Sequence, residues 1–137
     1  MLEKKLINKN FSVSIIGLGY VGLPLAVRFI KKNIKVYGID NDYLKIKKLR
    51  LGKSYISSLK NSDLNFFKRN KNFVTTDYSN IKKSDVIIIC LPTPLKNNKF
   101  PNMDYLFNCT KKLKKEIKGD KLIILESTVY PGASEDI

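Results

Sequence analysis

Three glycines and one carboxylate are the residues of this chain whose types and spacing could do chemistry. Gly17, Gly19 and Gly22 fall in the stretch SVSIIGLGYVGLPLAVRFI, and Asp40 follows the last of them by eighteen residues. The glycines have the spacing G-x-G-x-x-G. In that pattern Gly17 allows a tight turn, Gly19 lets an anionic ligand approach the backbone, and Gly22 lets the next helix pack close to the preceding strand. A helix N-terminus has unpaired N–H groups and about half a positive charge, which suits a diphosphate. Tyr20 and Val21 lie inside the same turn.

The spacing alone also fits a glycine-rich turn with no ligand, so position has to decide. Val13, Ile15 and Ile16 read as a strand buried on both faces, and the glycines follow it directly. A second strand, IKVYGID over residues 34–40, ends in Asp40. A carboxylate there can accept both hydroxyls of an adenosine ribose and repels a 2′-phosphate. The two features together predict a dinucleotide site that takes NAD in preference to NADP. Lys45 could reach the same ribose, or be a solvated lysine.

The elements that must position these residues alternate along the chain. Residues 1–11 read as a frayed polar lead-in, and residues 12–137 as one nucleotide-binding domain. Pro24 falls in the first turn of a helix, where a missing N–H has no partner to lose, and Leu23, Ala26, Val27 and Ile30 give that helix an apolar face. A surface helix follows Asp40 and ends at Gly52. Next come a loop around Tyr55 and Ile56, then a short helix capped by Ser62 or Asp63, with Leu64, Phe66 and Phe67 on its buried side. Strand three is predicted over 73–76 and strand four over 86–91, where Pro92 and Pro94 stop it. A helix runs from a cap at Asn102 to Lys118, and strand five covers 121–127. Pro131 and Gly132 then turn the chain into another helix. This rhythm predicts an α/β fold, a Rossmann-type doubly wound parallel sheet in the order 3-2-1-4-5, truncated before the sixth strand.

Composition narrows the function classes. The formal net charge is +14, from 26 Lys and Arg against 12 Asp and Glu. The lysines are scattered, and the densest run, KKLKKEIK, reads as the solvated face of an amphipathic helix, so no nucleic-acid partner is expected. With no histidine and two cysteines lacking C-x-x-C spacing, no metal site or disulfide is expected. No apolar run reaches membrane-spanning length and the first ten residues lack a signal peptide's apolar segment, so the expected location is cytoplasmic.

Three motifs coincide in order: IIGLGYVGLPLA, VIIICLPTPLKNNKFPNMDYL and LESTVYPG. Together they resemble the NAD-binding domain of the UDP-glucose/GDP-mannose dehydrogenase family. GKSYI at 52–56, with CLPTPL and ESTVYPG, looks more like the branch acting on UDP-N-acetylhexosamines, such as UDP-N-acetylglucosamine, than the UDP-glucose branch.

The resemblance implies oxidation of the C6 alcohol of a UDP-sugar to a carboxylate with two NAD, a step in polysaccharide precursor synthesis. It implies a cysteine thiol that forms a thiohemiacetal and then a thioester. Carried over by position, Gly17, Gly19, Tyr20, Val21 and Gly22 would hold the pyrophosphate, and Asp40 and Lys45 the ribose. Thr93 would line the nicotinamide side, and Thr128 would position the catalytic water or simply satisfy a local turn. Glu126 is a strand-end carboxylate with either a local partner or a part in the site.

Neither Cys90 nor Cys109 has the context of the family's catalytic cysteine. That cysteine and the UDP-sugar-binding residues are expected beyond Ile137, so the chain alone is expected to bind NAD weakly and oxidise nothing. A stand-alone NAD-binding module without catalysis is the competing reading. Family members associate through regions outside these residues, and no oligomeric state is read from them.

Overall fold

A computed structural model describes residues 1–70, 73–96 and 100–137. β1 (Ser12–Ile16) lies at the centre of a five-stranded sheet in the order β3-β2-β1-β4-β5. Its neighbours are β2 (Lys35–Ile39) and β4 (Val86–Ile89), with β3 (Val74–Thr75) and β5 (Leu122–Leu125) at the edges. Every pairing is parallel, so the predicted architecture and strand order are the observed ones. All five residues of β1 and all four of β4 are buried; β4 is a continuous apolar run, and in β1 the buried Ser14 hydroxyl donates to Ser84 Oγ at 2.9 Å.

The strands place their carboxyl ends together. Ile16 pairs with Ile39 on one side and Ile89 on the other, so the segments that leave β1, β2 and β4 start at one level of the sheet. From there β1 feeds α2 (Gly22–Lys31), and β2 feeds α3 (Tyr43–Arg50). β4 leads through the 90–103 segment to α5 (Asp104–Glu116), residues 97–99 of that loop lying outside the described ones. One apolar cluster packs α2 and α3 on one face of the sheet around Leu23, Ile46 and Phe67. A second packs α5 on the opposite face through Leu106, Cys109 and Leu113.

Several boundaries differ from those the sequence suggests. Within the polar lead-in a short helix, α1 (Leu2–Ile7), forms, with Glu3 in its first turn and Leu6 packed against the core. Lys5 ties it to the sheet by an ion pair with Asp85 at 2.6 Å. Before α4 (Asn65–Arg69) a 3₁₀ turn spans Asn61–Leu64. Asp63 sits inside that turn and accepts the Lys60 N–H, while Ser62 makes no cap. α5 stops at Glu116, two residues early, because Ile117 is already extended before Gly119 takes a left-handed φ of 68°. At its start the cap position falls on Met103, one residue after the predicted Asn102, whose Oδ1 accepts the Asp104 N–H at 3.0 Å. α6 (Ala133–Asp136) follows the turn at Gly132. Strands two to five are shorter at their ends than predicted, by one or two residues at each trimmed end.

Candidate functional site

The turn after β1 is built by exclusion of side chains. Gly17 has φ +90°, and a Cβ there would lie 2.5 Å from the Cys90 carbonyl oxygen. A Cβ at Gly22 would lie 1.8 Å from the Gly17 carbonyl oxygen, so α2 can start against the turn only with hydrogen at that position. At Gly19 a Cβ would meet nothing within 4 Å, leaving open space over the turn. Among the described residues, the N–H groups of Gly19, Tyr20 and Val21 donate to no backbone acceptor. A diphosphate fits such a set of open donors beside a helix N-terminus.

Asp40 stands at the end of β2 with its side chain 10% exposed. Its Oδ2 accepts the Leu18 N–H at 2.8 Å and faces Lys45 Nζ at 3.4 Å, and its Oδ1 accepts the Asp42 N–H at 2.9 Å. Asp42 caps α3 by accepting the Leu44 N–H at 2.8 Å, which aims Lys45 back toward Asp40. The carboxylate is thus fixed in place by protein donors and still opens on the cleft.

That cleft, of about 570 Å³, runs across the carboxyl ends of β2, β1, β4 and β5. It brings together all but one of the sequence-predicted residues: Gly17, Gly19, Tyr20, Val21, Asp40, Lys45, Thr93 and Thr128. Gly22 does not line it and sits behind the turn instead. Tyr20 and Val21 are exposed above the glycines. Thr93 Oγ1 donates to the Thr128 carbonyl at 2.5 Å and Ser127 Oγ donates to the Leu91 carbonyl at 2.7 Å, so the segments after β4 and β5 are tied together.

Cys90 also lines the cleft. Burial, helped by the nearby Glu126 carboxylate, pushes its thiol up to about 11, leaving it protonated at neutral pH. Cys109 is buried in α5, where burial likewise raises its thiol to about 11.

Leu18 and Tyr55 escape the sequence reading. The Leu18 side chain is fully buried over Gly38, where a Cβ would lie 3.0 Å from its Cδ1. The Tyr55 hydroxyl donates to the Leu18 carbonyl at 2.6 Å. The phenol lies above its ordinary pKa, first from burial and then from Asp40 and Asp42, so it stays protonated and able to donate. GKSYI marks the segment, but nothing in the string shows what the tyrosine reaches. Tyr105 lines the far wall of the cleft. Lys112 sits 3.5 Å from Asn41 Oδ1 and over the Tyr78 ring; their only sequence signal is that they lie on the helix following strand four.

A parallel α/β sheet with a glycine turn, an acid at the end of the adjacent strand and a cleft across the strand ends defines a dinucleotide-binding domain. Residues 11–137 match the family described as UDP-glucose/GDP-mannose dehydrogenase family, NAD binding domain. Protein CapL of Staphylococcus aureus is 36% identical over 132 residues, covering 93% of this chain and 29% of the relative. A UDP-N-acetyl-D-glucosamine 6-dehydrogenase of Pseudomonas aeruginosa is 37% identical over 128 residues, covering 93% and 30%. The solved structure of a UDP-D-ManNAc dehydrogenase from Pyrococcus horikoshii superposes with a TM-score of 0.81 at 32% identity, covering 91% of this chain and 30% of that one. The chain belongs to the UDP-glucose/GDP-mannose dehydrogenase family, to its NAD-binding domain, and spans about 30% of the length of these relatives.

Proposed function

We propose that the chain serves as the NAD-binding part of an enzyme that oxidises the C6 alcohol of a UDP-N-acetylhexosamine to the uronic acid. The observation that carries the cofactor half is the Asp40 carboxylate, held by the Leu18 N–H at one end of a cleft floored by the open glycine turn. The relatives named for UDP-N-acetylated sugars support the substrate half. In this reading the protein works in the cytoplasm, with no nucleic-acid partner.

When bound, NAD supplies the hydride acceptor. Asp40 accepts from the adenosine ribose, and Lys45 neutralises that carboxylate from its solvent side. The Gly19, Tyr20 and Val21 N–H groups receive the diphosphate, with Gly17 and Gly22 providing the tight turn behind them. Thr93 commits its hydroxyl proton to the Thr128 carbonyl and so ties together the segments that line the nicotinamide side of the cleft. Thr128, exposed on that wall, positions a water.

Calorimetric titration with NAD and with NADP, for the native chain and Asp40→Ala, tests the reading. NAD should bind more tightly than NADP, and the substitution should weaken NAD and narrow the gap. Equal affinities in the native chain, or an unchanged gap in the variant, would remove Asp40 from the ribose.

A further inference from the structure

With the ribose grip at the end of β2 and the diphosphate at the turn after β1, the strand order sends the rest of a dinucleotide over β4 and β5. The cleft there is lined by Cys90, Thr93, Glu126, Ser127 and Thr128. Among the described residues, Glu126 is the one acidic or basic side chain on that part of the wall. Its backbone is fixed, since its N–H donates to the Ile89 carbonyl at 2.9 Å, and the Ser127 hydroxyl locks the next residue to Leu91 at 2.7 Å. Among the described residues the Glu126 carboxylate has no ion-pair partner, although the chain carries a formal net charge of +14. It lies close enough to Cys90 to raise that thiol. An unneutralised carboxylate on the wall of an anion-binding cleft works against the diphosphate, so a role there has to come from something else the ligand carries.

We infer that Glu126 is a specificity-determining residue that distinguishes the oxidised from the reduced cofactor, by facing the end of the cleft where the nicotinamide ring lies. This rests on the NAD reading above. The nicotinamide ring of NAD⁺ is a cation and that of NADH is neutral, while ribose and diphosphate are common to both. A carboxylate near the ring therefore favours NAD⁺ and lowers the affinity for NADH relative to it. Such a bias would favour exchange of the first NADH for a second NAD⁺ in an enzyme that consumes two NAD in succession.

The test is the ratio of dissociation constants, Kd(NADH)/Kd(NAD⁺), measured by calorimetry on the chain, with ADP-ribose as a probe lacking the ring. Repulsion of the diphosphate cancels in the ratio. Glu126→Gln should lower it by roughly 3- to 10-fold, the range of a partly screened charge pair. ADP-ribose should bind the variant as well as, or slightly better than, the native chain. Glu126→Asp, which keeps the charge, should retain most of the ratio. If Glu126→Gln fails to fold, raising salt on the native chain gives the same readout, since screening should bring the ratio down. A ratio that Gln and salt leave unchanged, with both cofactors still bound, overturns the inference and leaves the NAD reading standing. Failure of the native chain to bind NAD⁺, NADH and ADP-ribose alike overturns both.

Discussion

Asp40 Oδ2 accepts the Leu18 N–H across 2.8 Å, so the acid that ends β2 is bonded to the turn that ends β1. Leu18 is held three ways, by this bond, by the Tyr55 hydroxyl on its carbonyl at 2.6 Å, and by its side chain buried over Gly38. Positioning of the ribose acceptor and shaping of the phosphate turn are therefore a single structural event. Asp40→Asn keeps one acceptor but loses the charge that Lys45 and the N–H donors face. Hydrogen bonds to charged groups contribute about 1.5–3 kcal/mol, so NAD affinity should fall roughly 10- to 100-fold, read by calorimetry, with a smaller loss in melting temperature.

Gly19 and Gly22 should separate binding from folding. Gly19→Ala adds a methyl where nothing lies within 4 Å, so the melting temperature should barely move while NAD binding drops sharply. Gly22→Ala drives its methyl to 1.8 Å from a backbone oxygen, which cannot swing aside as a side chain could. Overpacking of this kind costs typically about 1–3 kcal/mol, and both stability and binding should suffer. Thermal melts beside titrations would expose an error if Gly19→Ala proved the less stable of the two.

Tyr55→Phe removes only the hydroxyl that meets the Leu18 carbonyl. An unsatisfied buried acceptor costs about 1–3 kcal/mol. Urea unfolding should show that loss at an unchanged slope, and NAD affinity should weaken because the turn is less firmly held. Unaltered affinity would mean the turn keeps its shape without the tyrosine.

Acid should loosen the amino ends of β1 and β4, where α1 docks. Burial alone would raise the Asp85 carboxyl, but hydrogen bonds from Lys5 and from the Ser12 N–H and hydroxyl outweigh it and hold it below its ordinary value. A depressed folded pKa contributes stability above the unfolded value of about 3.9, lost as pH falls through the folded one. Asp85→Asn should cost roughly 0.5–1 kcal/mol at neutral pH, a figure kept low for solvent screening, and flatten the stability profile below about pH 4. Circular dichroism melts from neutral pH downward would show whether the two proteins converge in acid.

Cys90 should be a poor nucleophile. With its thiol pushed up to about 11, alkylation by iodoacetamide at neutral pH should be slow and accelerate as pH rises toward that value. NAD should slow it further, because Cys90 lines the cleft. The 137-residue chain, mixed with NAD and a UDP-N-acetylhexosamine, should form no NADH. Production of NADH by this chain would contradict the assignment of covalent chemistry to a different cysteine.

The amino-acid string by itself determined the sheet, its strand order and the ends of the cleft. Buried parallel strands show as continuous apolar runs such as residues 86–89, helices as a 3.6-residue period, and right-handed crossovers leave few ways to order the strands. The placement of Gly17 and Gly22 in a tight turn and of Asp40 at a strand end was legible because it depends on local geometry. The fold of residues 2–7 was not, because α1 is held by Leu6 on the core and by Lys5 on an aspartate eighty positions away.

Tertiary structure alone decided that the Tyr55 hydroxyl reaches Leu18, that Gly38 makes room for the Leu18 side chain, and that Glu126 stands on the cleft wall with no ion-pair partner among the described residues. Each depends on where separate elements come to rest against one another. Periodicity and spacing record which face of an element is apolar, but a hydrogen bond forms only at a distance set to within a few tenths of an ångström, which packing of the whole core imposes.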